Sequence, residues 1–292
     1  MWSDALPSWY AEKGRHHLPW RQTRDPWAVL VSEVMLQQTS VARVLPRWRR
    51  FLARWPVAQS CAASPLEDVL REWDGLGYPR RARALHATAR EVAARGWPPD
   101  EAGLRDLPGI GEYTARALLL FAFDDEGAAL PRDVNLGRVA ARAALGQETH
   151  QATASQLDTA LVDARPGSMT KRDYAYALFD IGATVCLARR PRCSECPAAS
   201  WCASRERLRG VHPESPPRRQ SAYAGSLRQL RGAVLRAMLG DDPPADVEAL
   251  RRRVSDVPAA ARPDALGSAL AGLRRDGLIG GDQPATQSPS IG

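Results

Sequence analysis

Leu107-Pro108-Gly109-Ile110-Gly111 is the most informative stretch of this 292-residue chain, and it stands directly before a run of helical character. Its glycines let the backbone approach another backbone closely. Main-chain N–H groups at the start of the next helix can then hold a phosphate group without reading a base sequence. Alone, the stretch is equally compatible with an ordinary turn between two helices, so its meaning depends on the surrounding sequence.

Apolar residues recur at intervals of three and four through residues 1–205, without the sustained alternation of strands, which predicts a mainly α fold. Asp25-Pro26 predicts a helix start, because Asp is a favoured N-cap and Pro fits the first helical position. The helix that follows should be buried, since apolar residues cover most of its surface. We predict helices at residues 27–36, 41–54, 65–73, 82–94, 114–123, 136–145, 155–164 and 172–186.

The composition shifts near Gly210, where a segment rich in proline and arginine predicts an exposed linker over residues 210–226. We therefore expect a first domain at 1–209, a small helical module at 227–280 and a disordered tail at 281–292. Within the module, helices are predicted at 227–239, 246–254 and 265–274. Three short helices that end in a turn resemble a winged-helix domain, although this pattern has low specificity.

The net charge of +7 and the pI near 9.5 favour a polyanionic partner, although a GC-rich genome would by itself explain most of the excess of arginine over lysine. The longest stretch of note, residues 115–123, is apolar apart from Arg116 and is shorter than the roughly 18 residues of a membrane span. No basic segment followed by an apolar one marks an export signal. We therefore expect a cytoplasmic, nucleoid-associated bacterial protein that does not enter a membrane.

Four of the five cysteines follow the spacing Cys-x6-Cys-x2-Cys-x5-Cys, at Cys186, Cys193, Cys196 and Cys202. Their clustering favours a metal site in a reducing compartment over a disulfide framework. The spacing resembles the [4Fe–4S] loop of the endonuclease III superfamily, in which four thiolates wrap a compact cluster. Zinc is the alternative, but four-cysteine zinc sites usually use paired Cys-x2-Cys knuckles, and only one such knuckle stands here.

Asp133 follows the hairpin stretch, in Pro131-Arg132-Asp133-Val134-Asn135, where a helix is predicted to begin. Considered alone, this aspartate is a helix N-cap. Together with the hairpin at 107–111, it resembles the helix–hairpin–helix DNA glycosylases, whose catalytic aspartate opens the next helix. The resemblance implies the fold of those enzymes, a six-helix module plus an iron–sulfur cluster module, and it implies that Pro108, Gly109, Ile110 and Gly111 bind a DNA phosphate.

Ser32-Glu33-Val34-Met35-Leu36-Gln37-Gln38-Thr39 resembles the signature of MutY-type adenine DNA glycosylases, as do Leu18-Pro19-Trp20-Arg21 and Gly75-Leu76-Gly77-Tyr78. Glu33 lies on an otherwise apolar helix, where burial should raise its pKa and keep part of it protonated near neutral pH. A glutamate satisfied by nearby backbone or arginine groups is the alternative. The family resemblance covers residues 1–205.

The resemblance implies a role for each site residue. Glu33 would protonate adenine N7 and assist the attacking water, while Asp133 would stabilise the cationic sugar with support from Tyr113 and Asn135. Gln38 and Tyr78 would wedge into the base stack, and the remaining DNA contacts would come from Trp20, Arg21, Leu36, Gln37 and Thr39. Tyr113 occupies the position of the Schiff-base lysine of lyase-competent relatives, which implies a monofunctional glycosylase.

The implied substrate is double-stranded DNA in which adenine is mispaired with 8-oxoguanine or guanine, and we expect a monomer. Three features depart from the family pattern: Tyr176 replaces a base-contacting Gln or Glu, Pro79 replaces a second tyrosine, and residues 211–292 lack the pattern of a Nudix-like domain. A thymine–DNA mismatch glycosylase of the same fold is the nearest alternative, because it also has a tyrosine at the position of Tyr113. A non-catalytic DNA-binding protein is the more distant one.

Overall fold

A computed structural model of the chain describes residues 5–208 and 222–280, and the regular structure in these two ranges consists of helices alone. The prediction of a mainly α fold is therefore confirmed. The α-helices of the described residues are α1 (Ala5–Lys13), α2 (Pro26–Leu36), α3 (Val41–Arg54), α4 (Ala58–Ala62), α5 (Leu66–Glu72), α6 (Arg80–Arg95), α7 (Glu101–Asp106), α8 (Glu112–Phe121), α9 (Val134–Ala143), α10 (Ala154–Asp163), α11 (Lys171–Asp180), α12 (Arg205–Leu208), α13 (Leu227–Leu239), α14 (Val247–Arg253) and α15 (Ala265–Arg275). No helix among the described residues has the length and apolar character needed to span a bilayer.

The described parts of the chain divide into two compact units. The first comprises residues within 1–48 and 95–216, and the second comprises residues within 49–94 and 217–292. The C-terminal helices α13–α15 therefore share a unit with α4–α6. The domain boundaries expected from the sequence stay a prediction, because most of the expected linker and all of the expected tail lie outside the described residues.

Helix α2 is the centre of the first unit, and all of its residues from Trp27 to Met35 are buried. The Asp25 side chain accepts hydrogen bonds from the backbone N–H groups of Trp27 and Ala28, and Pro26 occupies the first turn. This N-cap confirms the predicted helix start. Helix α2 packs against α8, whose residues Ala117–Phe121 are also buried, so a polar side chain on α2 lies in an apolar environment.

The hairpin stretch joins α7 to α8 in the first unit. Gly109 has a φ of 76°, a left-handed conformation that favours glycine, and the Ile110 N–H donates to the Leu107 carbonyl over 3.1 Å. Gly111 is the N-cap residue of α8. The stretch is therefore a tight connection between two helices, which is the helix–hairpin–helix arrangement expected from the sequence.

The sequence predicted that the helix now labelled α11 continues to Cys186, but the α-helix ends at Asp180. It gives way at Ile181–Val185 to a π-helical turn, a rare form that is frequent at functional sites. Gly182 in this turn lies against α9, and a Cβ atom added there would come within 2.6 Å of the Asn135 Cβ. Only glycine fits this close approach, so the turn sets the distance between α9 and the segment that leads to Cys186.

In the second unit, α13 packs against α15 and α5. The Arg71 Nε donates to the Leu239 carbonyl over 2.6 Å, which ties α5 to the end of α13, and Arg231 forms an ion pair with Asp276. The three C-terminal helices match the predicted ones to within one residue at each end. A winged-helix domain also has strands, and residues 222–280 contain none. The winged-helix resemblance therefore stays a prediction.

Candidate active site

Glu33 is the central titratable group of the first unit and is only 8% exposed. Burial in the apolar surroundings of α2 raises the pKa of its carboxyl from the ordinary 4.5 to about 7. A hydrogen bond from Tyr113 and the positive charge of Arg21 act in the opposite direction, while the negative charge of Asp133 adds to the rise. Glu33 is therefore protonated in a large fraction of molecules at neutral pH.

Tyr113 comes from the first turn of α8, two residues beyond the hairpin. Burial raises the pKa of its hydroxyl well above the ordinary range, and the charges of Glu33 and Asp133 raise it further. The hydroxyl is therefore neutral and donates its hydrogen bond to the Glu33 carboxylate. The hairpin thus places a neutral donor, rather than an amine nucleophile, beside the buried acid.

Asp133 is the N-cap of α9. Its Oδ1 accepts hydrogen bonds from the backbone N–H groups of Asn135 and Leu136, each over 2.8 Å, and its Oδ2 accepts one from the Asn135 side chain over 2.8 Å. Burial raises the pKa of Asp133, and these hydrogen bonds lower it. The capping interpretation and the catalytic one are compatible, because the cap fixes the carboxylate in one orientation close to Glu33.

Arg138 was not among the sequence candidates, yet it connects this aspartate to the cysteine segment. It donates to the Asn135 side-chain oxygen over 2.8 Å, to the Gly182 carbonyl over 2.6 Å and to the Cys186 carbonyl over 2.7 Å. The only sequence signal was its position three residues after Asn135, on the same helix face. A chain of hydrogen bonds therefore runs from Asp133 through Asn135 and Arg138 to the start of the cysteine loop.

Arg21 ends the short 3-10 helix Pro19–Arg21, next to the buried Trp20, and its positive charge acts on Glu33. Its guanidinium makes two hydrogen bonds to the Asp180 carboxylate, over 2.7 and 2.8 Å. It also lies 4.5 Å from the centre of the Tyr176 ring, which stacks on Phe121 at 4.4 Å. Asp180 is a site residue that none of the sequence motifs indicated.

The signature stretch 32–39 runs past the end of α2, so its last three residues lie in the turn that follows this helix. Leu36 is its final residue, and the Thr39 N–H donates to the Leu36 carbonyl over 3.2 Å. Gln38 adopts a φ of 56°, a left-handed conformation that is unfavourable for a residue with a side chain. The remaining member, Gln37, is the C-cap residue of α2.

Tyr78 belongs to the second unit, in the turn before α6. Its φ of 49° is also left-handed, and it follows two glycines of positive φ, Gly75 and Gly77. Its side chain is 38% exposed, and the Arg81 guanidinium lies 5.3 Å from its ring centre. A strained, exposed aromatic residue is consistent with a surface contact, whereas Glu33, Tyr113, Asp133, Asn135 and Arg21 all lie in the first unit.

The four clustered cysteines line one cavity of the first unit, together with Val139, Ile181 and the buried Arg142. Arg142 Nη1 lies 3.9 Å from the Cys186 sulfur, and its Nη atoms donate to the carbonyls of Leu187 and Ala188. Four thiols around a single cavity, with a cation beside them, match the donor set of an iron–sulfur cluster. Within the two described ranges, no three His, Cys, Asp or Glu side chains form a site for a single metal ion.

Residues 31–162 match the HhH-GPD superfamily of base excision DNA repair proteins, which defines the class of protein. Among curated proteins, the adenine DNA glycosylase of Mycobacterium tuberculosis is 44% identical over 236 residues, which cover 79% of this chain and 76% of that protein. The adenine DNA glycosylase of Mycolicibacterium smegmatis is 41% identical over 279 residues, covering 94% and 91%. The chain belongs to the adenine DNA glycosylase family, and its similarity reaches into the C-terminal helices.

Among solved structures, a thermostable thymine-DNA glycosylase superposes with a TM-score of 0.61 and 27% sequence identity, over 70% of this chain and 95% of that one. The helix–hairpin–helix glycosylase fold expected from the sequence is therefore confirmed.

Proposed function

We propose that the chain is a monofunctional glycosylase that hydrolyses the N-glycosidic bond of adenine in mispaired DNA, as part of base excision repair. The observation that carries this proposal is a buried carboxyl with a pKa of about 7 at Glu33, next to the capped carboxylate of Asp133. Relatives named adenine DNA glycosylase, at up to 44% identity, support the choice of base.

The reaction requires the adenine to leave the base stack, which costs a few kcal/mol and is least costly at a mispair. Protonated Glu33 donates its proton to N7 of the extruded adenine, and the base becomes a better leaving group. As the glycosidic bond breaks, positive charge develops on the sugar. The Asp133 carboxylate stabilises that charge, because the hydrogen bonds of its helix cap hold it in place before the reaction begins.

Glu33 is ionised once its proton is on the base, and it then accepts a proton from the water that attacks the sugar. The Tyr113 hydroxyl stabilises this carboxylate by donating to it. Since Tyr113 offers no amine, a covalent sugar–enzyme adduct does not form at this position, and the product is an abasic site with an intact strand. We propose that the enzyme acts in this way as a monomer on the bacterial nucleoid.

Cys186, Cys193, Cys196 and Cys202 would hold a [4Fe–4S] cluster, which would supply a rigid cross-link of the loop rather than a step of the excision. Iron and sulfide analysis with visible absorption of the purified protein tests this. Four iron and four sulfide per chain, with a thiolate-to-iron absorption band, are expected. One zinc per chain without iron would overturn the proposal.

The substrate is tested by incubating the protein with three duplexes that carry A opposite 8-oxoguanine, A opposite G, and T opposite G. Abasic sites are then revealed by alkaline cleavage of the labelled strand. We expect excision of adenine from the first two duplexes and an uncut strand without alkali. Excision from the T:G duplex alone would indicate a thymine glycosylase, the activity named for the superposed structure. DNA binding without excision from any duplex would indicate a non-catalytic protein.

A further inference from the structure

We propose that Asp180 is a positioning residue of the excision site, whose carboxylate holds the Arg21 guanidinium in one orientation through two parallel hydrogen bonds. The proposal rests on the glycosylase function proposed above. It concerns a residue that contacts neither the base nor the sugar in the mechanism proposed there and that acts through its neighbour.

Asp180 ends α11 and is almost completely buried, with 1% of its surface exposed. Its carboxylate accepts two hydrogen bonds from the Arg21 guanidinium, over 2.7 and 2.8 Å. It accepts two more from Arg15, one from the backbone N–H over 2.9 Å and one from Nε over 2.5 Å. Burial alone would raise the pKa of Asp180, but the two arginines lower it below its usual range, so the group is a fixed anion.

Besides its two hydrogen bonds to Asp180, the Arg21 side chain donates one to the Tyr10 hydroxyl. Its backbone is held by Arg172, which donates to the Arg21 carbonyl over 2.9 Å. The Tyr176 ring supports one face of the guanidinium, and such a contact tolerates rotation within the plane. The two parallel hydrogen bonds to Asp180 remove this freedom, because a planar fork paired with a carboxylate has one favourable orientation.

The position of the Arg21 guanidinium affects the pKa of Glu33, together with the other groups that act on this carboxyl. Tyr113 from α8 and Arg21 lower the Glu33 pKa, whereas burial and the Asp133 carboxylate before α9 raise it. Tyr176 from α11 is the further titratable neighbour, and it interacts electrostatically with Glu33. If Asp180 positions Arg21, releasing the guanidinium removes its effect on Glu33, and the Glu33 pKa rises.

A purely stabilising role for this ion pair is the competing explanation. Buried ion pairs are often replaceable by apolar residues with no loss of stability, because desolvation of the two charges offsets their attraction. Burial of the pair therefore does not by itself distinguish stabilisation from positioning. The distinction has to come from a measurement that responds to the electrostatics at Glu33.

The test compares Asp180→Asn, Arg21→Gln and the double variant with the parent protein. Single-turnover excision of adenine opposite guanine is measured from pH 5.5 to 9, and burst amplitudes give the active fraction. We expect Asp180→Asn to lower the rate constant at least about tenfold, as misplaced site groups commonly do. The alkaline limb of its pH–rate profile, where the rate falls as Glu33 loses its proton, should move to higher pH as in Arg21→Gln. The shift should be smaller than in Arg21→Gln, because Asp180→Asn also removes a negative charge from the site. The double variant should match Arg21→Gln alone.

Asp173→Asn is the matched control, because Asp173 lies on the same helix but contacts Thr170. Its rate and its limb should equal those of the parent. An unmoved limb in Asp180→Asn, a shift to lower pH, additive rate losses, or a change confined to the active fraction would each overturn the proposal. If Asp180→Asn does not fold, Asp180→Glu replaces it, and a parental rate and limb in that variant would also overturn it. Failure of the parent protein to release adenine would instead refute the proposed function.

Discussion

Replacing Tyr113 with phenylalanine should move the alkaline limb of the excision rate to higher pH, even though it removes a group from the site. The Tyr113 hydroxyl donates a hydrogen bond to the Glu33 carboxylate, and this bond stabilises the ionised form and lowers the Glu33 pKa. Without the donor, ionising Glu33 in its buried position becomes less favourable. The Glu33 pKa should therefore rise above the present value of about 7.

The expected rise of the Glu33 pKa can be worked out from the usual strength of a hydrogen bond to a charged group. A hydrogen bond to a charged group contributes about 1.5 kcal/mol at the lower end of its range, which corresponds to a shift of about one pKa unit. With a pKa of about 7, roughly a tenth of Glu33 is protonated at pH 8. A rise of about one unit would bring this fraction to about one half, a gain of about fivefold at that pH.

The assay is single-turnover excision of adenine from a mispaired duplex between pH 5.5 and 9.5, for the parent protein and Tyr113→Phe. The plateau of the excision rate at low pH will fall, because the Tyr113 hydroxyl also stabilises Glu33 after proton transfer. The midpoint of the alkaline limb, the pH at which the rate is half of its plateau, does not depend on the height of the plateau. Tyr174→Phe removes a hydroxyl from another buried tyrosine and is the control. A limb that stays in place or moves to lower pH would show that Tyr113 does not act on Glu33 as described.

Further substitutions test the remaining groups. Glu33→Gln should abolish adenine release, and it should stabilise the fold by up to about 3 kcal/mol at pH 8 but hardly at pH 4.5. The reason is that the pKa of this carboxyl rises from 4.5 to about 7 on folding, so the native state is destabilised increasingly as the pH rises through that window. Equal shifts of the melting temperature at both pH values would contradict the burial argument. Asp133→Asn should leave DNA affinity within about twofold and reduce single-turnover excision by at least about 100-fold, whereas parental rates would remove Asp133 from the mechanism. Gly182→Ala should lower the free energy of unfolding by about 1–3 kcal/mol and slow excision, because the new methyl group displaces Asn135 from Asp133. Chemical unfolding and single-turnover excision measure the two effects. An unchanged excision rate would show that Asn135 is dispensable.

The sequence predicted those parts of the fold that depend on local pattern. Helix α3 was predicted with its observed ends, and the cap at Asp25 placed the start of α2. The helices α1, α4, α7 and α12 were not predicted, because each is short and its apolar pattern covers too few turns to stand out. The π-helical turn at Ile181–Val185 lies where Gly182 packs closely against Asn135, and such a long-range contact cannot be seen in the local sequence.

The candidate site shows the same division. Glu33, Tyr113 and Asp133 were identified through motifs, and the structure brings all three together in the first unit. Arg138 and Asp180 were missed, since their importance arises from partners between 44 and 165 residues away in sequence. An arginine in an arginine-rich chain carries no signal until its hydrogen-bond partner is known.

Asp133 illustrates why a motif can serve structure and chemistry together. A carboxylate that stabilises a cationic sugar must stay ionised in a buried site, where desolvation raises its pKa. The N–H groups at the start of α9 counteract that effect, because they donate to the ionised form and carry the positive end of the helix dipole. Capping the helix and preserving the negative charge are therefore one interaction.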